Sequence, residues 1–326
     1  MHCVAFREGK RTEALHDLGQ LPAAIAEHGQ LVWLDLLDPS AADLATLQKT
    51  FDLHPLAIED AQTVHERPKI EQYPHYLFLI VHPVTWIDDR LTIHELAIFA
   101  GGRFLITIRR KPEYAIEEAE RRWSIHDGEI GKDSGFLLYT LLDTVVDGYF
   151  PIGDRLEERI EDLENELFDA QTDQRKLNQM LRQIFDLKND VHHARRAVVP
   201  MRDLLQPLVR GDFKIFEREQ ERYYRDVYDH VIRVIDQLDS ARDLVSSALE
   251  IHLSLVGNRQ NEVSKQLAII ATIFLPLSYL TGFFGQNFGY LVNGITSAHA
   301  FVYFGIGSEV ACVVILLAYF RAKKWF

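Results

Sequence analysis

Hydrophobic and polar positions alternate in different ways along this chain. Up to about residue 130 the apolar runs are short and bounded by turn residues, which predicts strands at Leu31 to Leu37, Tyr76 to Val84, Leu91 to Ala100 and Arg103 to Arg109. Gly101-Gly102 supplies the turn between the last two. Asp38-Pro39-Ser40 opens a helix with Ser40 as cap and Asp43 three residues on. From Ser134 the period lengthens to three and four, through Asp154 to Leu167 and again through Gln174 to Val198, with Asp169 to Asp173 as the turn between two antiparallel helices. A further helical pattern starts near Glu217 and meets no proline before Pro276. Taken to Phe284 it would be about 100 Å long, a stalk and not a globular helix.

The last part of the chain has another character. From Gln266 to Ser308, 43 residues contain no Asp, Glu, Lys or Arg, although 25% of the whole chain is charged. Leu267 to Phe284 makes about 27 Å of helix, close to the thickness of a hydrocarbon core. Ala300 to Phe320 is a second apolar stretch, broken only by Glu309. Arg259 and Lys265 precede the first span, Arg321, Lys323 and Lys324 follow the second, and the loop between them is uncharged. That asymmetry places both termini in the cytoplasm of an inner (plasma) membrane protein and the Gln286 to His299 loop outside. The opening residues MHCVAFREGKRT have no apolar signal-peptide core.

The expected organisation is therefore an α+β membrane protein. Residues 1–130 form a cytosolic α/β domain and 131–266 a helical domain with the stalk. Residues 267–287 and 300–320 are transmembrane helices, 288–299 an external loop and 321–326 a basic cytosolic tail.

Charge then divides unevenly. The formal net charge of −13 leaves no basic surplus for a nucleic-acid partner. Only Glu309 and three basic residues lie beyond residue 266, so that tail carries +2 and the cytosolic part −15. Cys3 and Cys312 are too few for a disulfide scaffold or a cysteine-rich zinc module. No enzyme motif stands up: His94-Glu95 lacks a histidine at position 98, adjacent His192 and His193 point to different helix faces, and Gly128 to Ser134 misplaces the glycine and hydroxyl of a phosphate loop. The histidines read as surface or core residues, although His252, beside Glu250, could meet a passing soft metal.

One face of the stalk is unusual. In alternating steps of four and three, Asp229, Arg233, Asp236, Ser240, Asp243, Ser247, Glu250, Ser254, Gly257, Asn261, Ser264, Ala268, Ala271, Leu275, Ser278, Gly282 and Gly285 stay in one heptad phase. Apart from Arg233 and Leu275 every member is small or carries an acid, amide or hydroxyl, where a coiled-coil seam would carry Leu and Ile. Either the cytosolic half is a solvated face and the membrane half a close-packing interface, or several copies surround an axis and the stripe lines an aqueous path. The second reading requires an oligomer, since one copy of two spans encloses nothing.

The first span ends in Gly285-Gln286-Asn287-Phe288. Here the sequence resembles the CorA-type family of two-span divalent-cation transporters, whose signature is Gly-Met-Asn; zinc-transporting ZntB relatives carry other middle residues. His54-Pro55-Leu56, His65-Glu66-Arg67-Pro68-Lys69, Leu138 to Tyr149, Tyr224 to His230, Asn261-Glu262-Val263, Ile269 to Pro276 and Lys323-Lys324-Trp325 extend the resemblance over essentially the whole chain.

The resemblance implies a homopentameric funnel in the lipid bilayer that conducts Mg²⁺, Co²⁺ or Ni²⁺, with no prosthetic group. Asn287 would form the outer ring; Asn261, Ser264, Leu267, Ala268, Leu275 and Ser278 would line the conduit, and Glu250 would be an acidic ring. Asp226 would bind a regulatory metal between subunits with Asp88 or Asp89. Gln286 in place of Met, and Ser264 and Ala268 where magnesium-type members often carry a gate residue and a threonine ring, keep proton-coupled Zn²⁺ transport open. Glu309, about 14 Å into the second span, is either neutralised against a neighbouring helix or a proton site. A non-conducting scaffold or sensor is the alternative from a different class.

Overall fold

The computed structural model describes residues 2–7, 10–14, 30–65, 67–112, 114, 116–125, 133–168, 174–213, 215–216, 218–286, 289–294 and 297–323. They divide into two compact units, Met1–Glu250 and Ile251–Phe326.

The first unit is built on a seven-stranded mixed sheet. Strands β1 (His2–Arg7), β2 (Lys10–Ala14), β3 (Gln30–Leu37), β4 (Lys69–Gln72), β5 (Tyr76–Val81), β8 (Leu96–Gly101) and β9 (Phe104–Arg109) lie in the order β2-β1-β3-β9-β8-β5-β4. Only β3 and β9 pair in parallel, Val32 opposite Phe104; the other neighbours are antiparallel. Every residue of β5 and β8 is buried, as expected of strands covered on both faces. Helices α1 (Ala41–Phe51) and α2 (Pro55–Gln62) cover one face, where Leu44, Leu47, Phe51 and Ala57 meet Leu34, Phe78, Phe99 and Ile106. The Ser40 cap forms: its hydroxyl accepts from the Asp43 N–H (3.2 Å) and the Asp43 carboxylate accepts from the Ser40 N–H (2.9 Å).

Two expected strands are each divided in two. The Tyr76 to Val84 run stops at Val81, because Pro83 has no N–H to give a ladder, and resumes as β6 (Val84–Ile87). The Leu91 to Ala100 run contains β7 (Arg90–Ile93), which leaves the main sheet to pair with β6, and then β8. Asp88 and Asp89 are the two turn residues of the β6–β7 hairpin, both left-handed with φ of 49° and 58°. That is the type I′ geometry that Asp tolerates better than most residues.

Beyond the sheet follow α3 (Glu117–Ile125), α4 (Ser134–Asp147), α5 (Phe150–Phe168), α6 (Gln174–Arg210) and α7 (Glu221–Phe284). Helix α4 packs on β8 and β9. Helix α6 runs on past Val198 through Pro200 and Pro207, giving up the backbone bonds those prolines cannot donate. The Asp169 to Asp173 turn lies outside the described residues. Helix α7 begins four residues later than its pattern, behind a 3₁₀ turn at Arg218–Gln220, and is 64 residues long. Two buried tyrosines fasten the helices: the Tyr149 hydroxyl donates to the His82 carbonyl (2.8 Å) and the Tyr224 hydroxyl to the Gly135 carbonyl (2.7 Å).

The second unit comprises the rest of α7, two short helices α8 (Gly289–Gly294) and α9 (Ala298–Ala300), a π-helical stretch Phe301–Ile306, and α10 (Gly307–Ala322). The stretch between the two long apolar helices is thus partly helical. The 64-residue α7 and the continuous Ala298–Ala322 segment are both long and apolar enough to cross a membrane.

Candidate cation path

Within the first unit α7 is amphipathic in the ordinary sense. Tyr224, Val227, Val231, Val234, Leu238, Ala241, Val245 and Ala248 are buried at helical spacing, and Asp229, Arg233, Asp236, Ser240, Asp243, Ser247 and Glu250 are all exposed. Asp243 accepts from the Arg242 guanidinium at 2.8 Å. The stripe is therefore the outward face of a helix whose other faces carry the core.

In the second unit exposure no longer separates the stripe from its surroundings. Ser254, Asn261, Ser264, Ala268, Ala271, Ser278 and Gly282 are exposed and Gly257 half-buried, but Leu267 (67%), Phe274 (63%), Leu275 (69%) and Tyr279 (71%) are equally open. Chemistry is what distinguishes the stripe. A Cβ placed on Gly257 or Gly282 would meet nothing within 4 Å, so packing within the chain does not require glycine at either position.

The helix ends where the signature begins. Gly285 donates to the Thr281 carbonyl (2.9 Å) and Gln286 to the Phe283 carbonyl (3.3 Å), both exposed. Asn287 lies outside the described residues. Earlier in the span Pro276 leaves the Thr272 carbonyl without its helical donor.

A group that the sequence reading missed gathers beside the start of α7. Asp143 and Asp147, four residues apart on α4, come together with His230, and one ligand atom from each lies within 4.8 Å of the others. Arg122 reaches both acids, at 3.0 Å and 2.6 Å. His230 Nδ1 is 3.3 Å from Asp147, and its Nε2 is 3.9 Å from the largely exposed Asp226. Burial, and then the neighbouring Asp147 charge, raise the Asp143 carboxyl above its ordinary range despite Arg122. Two acids at i, i+4 within Leu138 to Tyr149 were the available signal, but their histidine comes from a distant helix. Asp226 thus faces this group, while Asp88 and Asp89 sit at the hairpin turn, Asp89 3.2 Å from Arg155.

Two other residues are placed differently from simple expectation. His252 is buried (3% exposed), not open beside Glu250, so it stands off the exposed face of the stalk; that burial also lowers its pKa. Glu309 is half-buried on α10, a few residues after the π-helical stretch, and makes no hydrogen bond or ion pair among the described residues.

An α/β unit and a pair of membrane-length helices, sharing one continuous helix, define a two-span membrane protein with a large polar domain. Residues 28–324 match the family described as CorA-like Mg²⁺ transporter protein, and the chain belongs to that family, one of transporters and not of enzymes. It is 31% identical over 296 residues to the putative metal ion transporter YfjQ of Bacillus subtilis, covering 90% of this chain and 89% of that one. It is 31% identical over 324 residues to the cobalt/magnesium transport protein CorA of Thermotoga maritima, covering 98% and 89%. The solved structure of the CorA magnesium transporter from Methanocaldococcus jannaschii shares the fold, with a TM-score of 0.83 at 23% identity over 100% of this chain and 99% of that one.

Proposed function

We propose that the protein is a homopentameric transporter or channel of the inner membrane that moves divalent cations of the Mg²⁺, Co²⁺ and Ni²⁺ class, both termini cytoplasmic. Five copies of α7 surround the path. Glu250 forms an acidic ring in the cytosol, Gly257, Asn261, Ser264, Leu267, Ala268, Ala271, Leu275, Ser278 and Gly282 line the conduit, and Gly285, Gln286 and Asn287 close it outside. The observation that carries this reading is the unbroken phase of the small and polar stripe, from exposed acids into a charge-free span with two glycines that intrachain packing does not need.

The chemistry suits such a cargo. Mg²⁺ dehydrates reluctantly and is commonly held through water. Amide and hydroxyl oxygens recognise the hydrated ion without the deep trap of a carboxylate ring, and conduction needs release as much as capture. A regulatory ion between subunits falls to Asp226 with Asp88 or Asp89 from a neighbour. The domain divisions at residues 130, 266, 287, 299 and 320 go with this reading.

Flux into proteoliposomes tests it. Wild type takes up Mg²⁺ or Co²⁺, and Asn287→Ala abolishes uptake; absence of flux in both would leave a non-conducting scaffold or sensor. Gln286 and Glu309, which has no partner among the described residues, favour a second reading, Zn²⁺ transport coupled to protons. Zn²⁺ uptake that follows a pH gradient in wild type and loses that dependence in Glu309→Gln would establish it.

A further inference from the structure

The chain is acidic, yet its first unit contains a cavity of about 530 Å³ whose charged lining is mainly positive. The cavity lies between the leading end of the edge strand β4 and one side of α6. From α6 it takes His192, Arg195 and Arg196, and from the approach to β4 Arg67 and Lys69. The spacing of 192, 195/196, 199/200 and 203/204 keeps one strip of α6 facing it along more than three turns.

The cations are not all spent on internal partners. Lys69 is held by Asp60 (2.5 Å) and Glu71 (2.8 Å), and Arg195 pairs with Asp239. Arg67, by contrast, is exposed and makes no ion pair among the described residues. The single acid of the lining, Asp203, is engaged by Arg202 at 3.1 Å. The cavity thus presents a guanidinium, that of Arg67, with no ion pair among the described residues, and the imidazole of His192 also lines it.

The remaining wall is apolar: Pro68, Ile70, Val199, Pro200 and Leu204. The volume is that of a small-molecule site and exceeds the need of a simple inorganic anion. Basic groups that attract negative charge and apolar side chains thus share one lining, a combination that a free metal cation does not use and a phosphorylated ring compound does. We propose that this cavity binds a nucleoside polyphosphate, with Arg67 and His192 on the phosphates and Val199 and Pro200 against the ring. Polyphosphates chelate divalent cations, so such a ligand is chemically linked to the cargo without occupying its path.

The test uses the full chain in detergent with EDTA present, so that no metal bridges ligand and protein. Calorimetric titration with ATP, ADP, inorganic triphosphate and adenosine is expected to give saturable binding in the order ATP, ADP, then triphosphate, with none for adenosine. Arg67→Glu combined with His192→Glu weakens ATP binding about tenfold or more, as expected for reversing charge against a phosphate, with the melting temperature unchanged. Should the double variant not fold, Arg67→Gln alone, at an exposed residue without an ion pair among the described residues, carries the same expectation in smaller measure. Absence of saturable ATP binding at millimolar concentration, unchanged affinity in the folded variants, or triphosphate binding as tightly as ATP would each overturn the proposal.

Discussion

The first thirty residues of α7 and the following thirty-four share one heptad phase, yet they bury very different amounts of surface. Up to Glu250 every turn has a residue in the core; from Ile251 to Phe284 only His252 and Ile269 are buried. The first half finds its apolar partners within its own chain. The second displays Leu267, Ile270, Phe274 and Leu275 to whatever surrounds it, and an apolar surface of that extent belongs against lipid or against other copies. The two halves are therefore stabilised by different means, and substitutions should separate them.

The largest effect comes from Val234→Asp, which puts an unpaired carboxylate at a fully buried site and costs upward of about 4 kcal/mol. Denaturant unfolding followed by the fluorescence of Trp33, Trp86 and Trp123 should show it. Val263→Asp, on the exposed half, leaves that transition within about 0.5 kcal/mol of wild type.

Next is a matched pair. Leu238→Ala opens a cavity and lowers stability by about 2–5 kcal/mol, while the same truncation at exposed Leu275 leaves the tryptophan transition in place. Equal losses at the two positions would refute the division of the helix drawn above.

A smaller loss, about 1 kcal/mol, is expected for Tyr224→Phe, which removes only the hydroxyl bond to Gly135.

The smallest effect concerns Asp143. Its carboxyl has a raised pKa, so the folded chain holds that proton more tightly than the unfolded one. The associated stability is complete below the ordinary aspartate range and is lost as pH rises through the raised value. Asp143→Asn resembles the protonated form and should be at least as stable as wild type at neutral pH in EDTA, the difference vanishing in acid. Calorimetric melting of the two proteins across that pH range measures this.

What the sequence made legible was whatever repeats locally. The four adjacent strands β3, β9, β8 and β5, the Ser40 cap and the stripe of α7 each carry a local period or a paired signal. The errors have physical causes. The apolar runs through Pro83 and through His94-Glu95 are continuous in composition, but they cross from one sheet to another. Pro200 reads as a helix stop, yet α6 is long enough and well enough packed by Met201, Leu204 and Leu208 to continue past it. Strands β1, β2 and β4 had no clear alternation and went unread. Sites assembled from distant segments left even less trace: Asp143, Asp147 and His230 unite two helices, and the basic cavity joins residues 67–70 to residues 192–204.

The uncharged stretch from Gln266 to Ser308 also has an electrical consequence. A voltage across a membrane acts most strongly on full charges, and between those limits the protein carries no Asp, Glu, Lys or Arg. In the proposed transporter the field then acts on the passenger: a divalent ion crossing the full drop gains roughly 4–5 kcal/mol per 100 mV, while the first span feels no comparable torque or pull. Such a conduit would translate membrane potential into ion flux without being a voltage sensor itself, and Glu309, just beyond the gap, is the one fixed group of the apolar region whose charge state could make it respond.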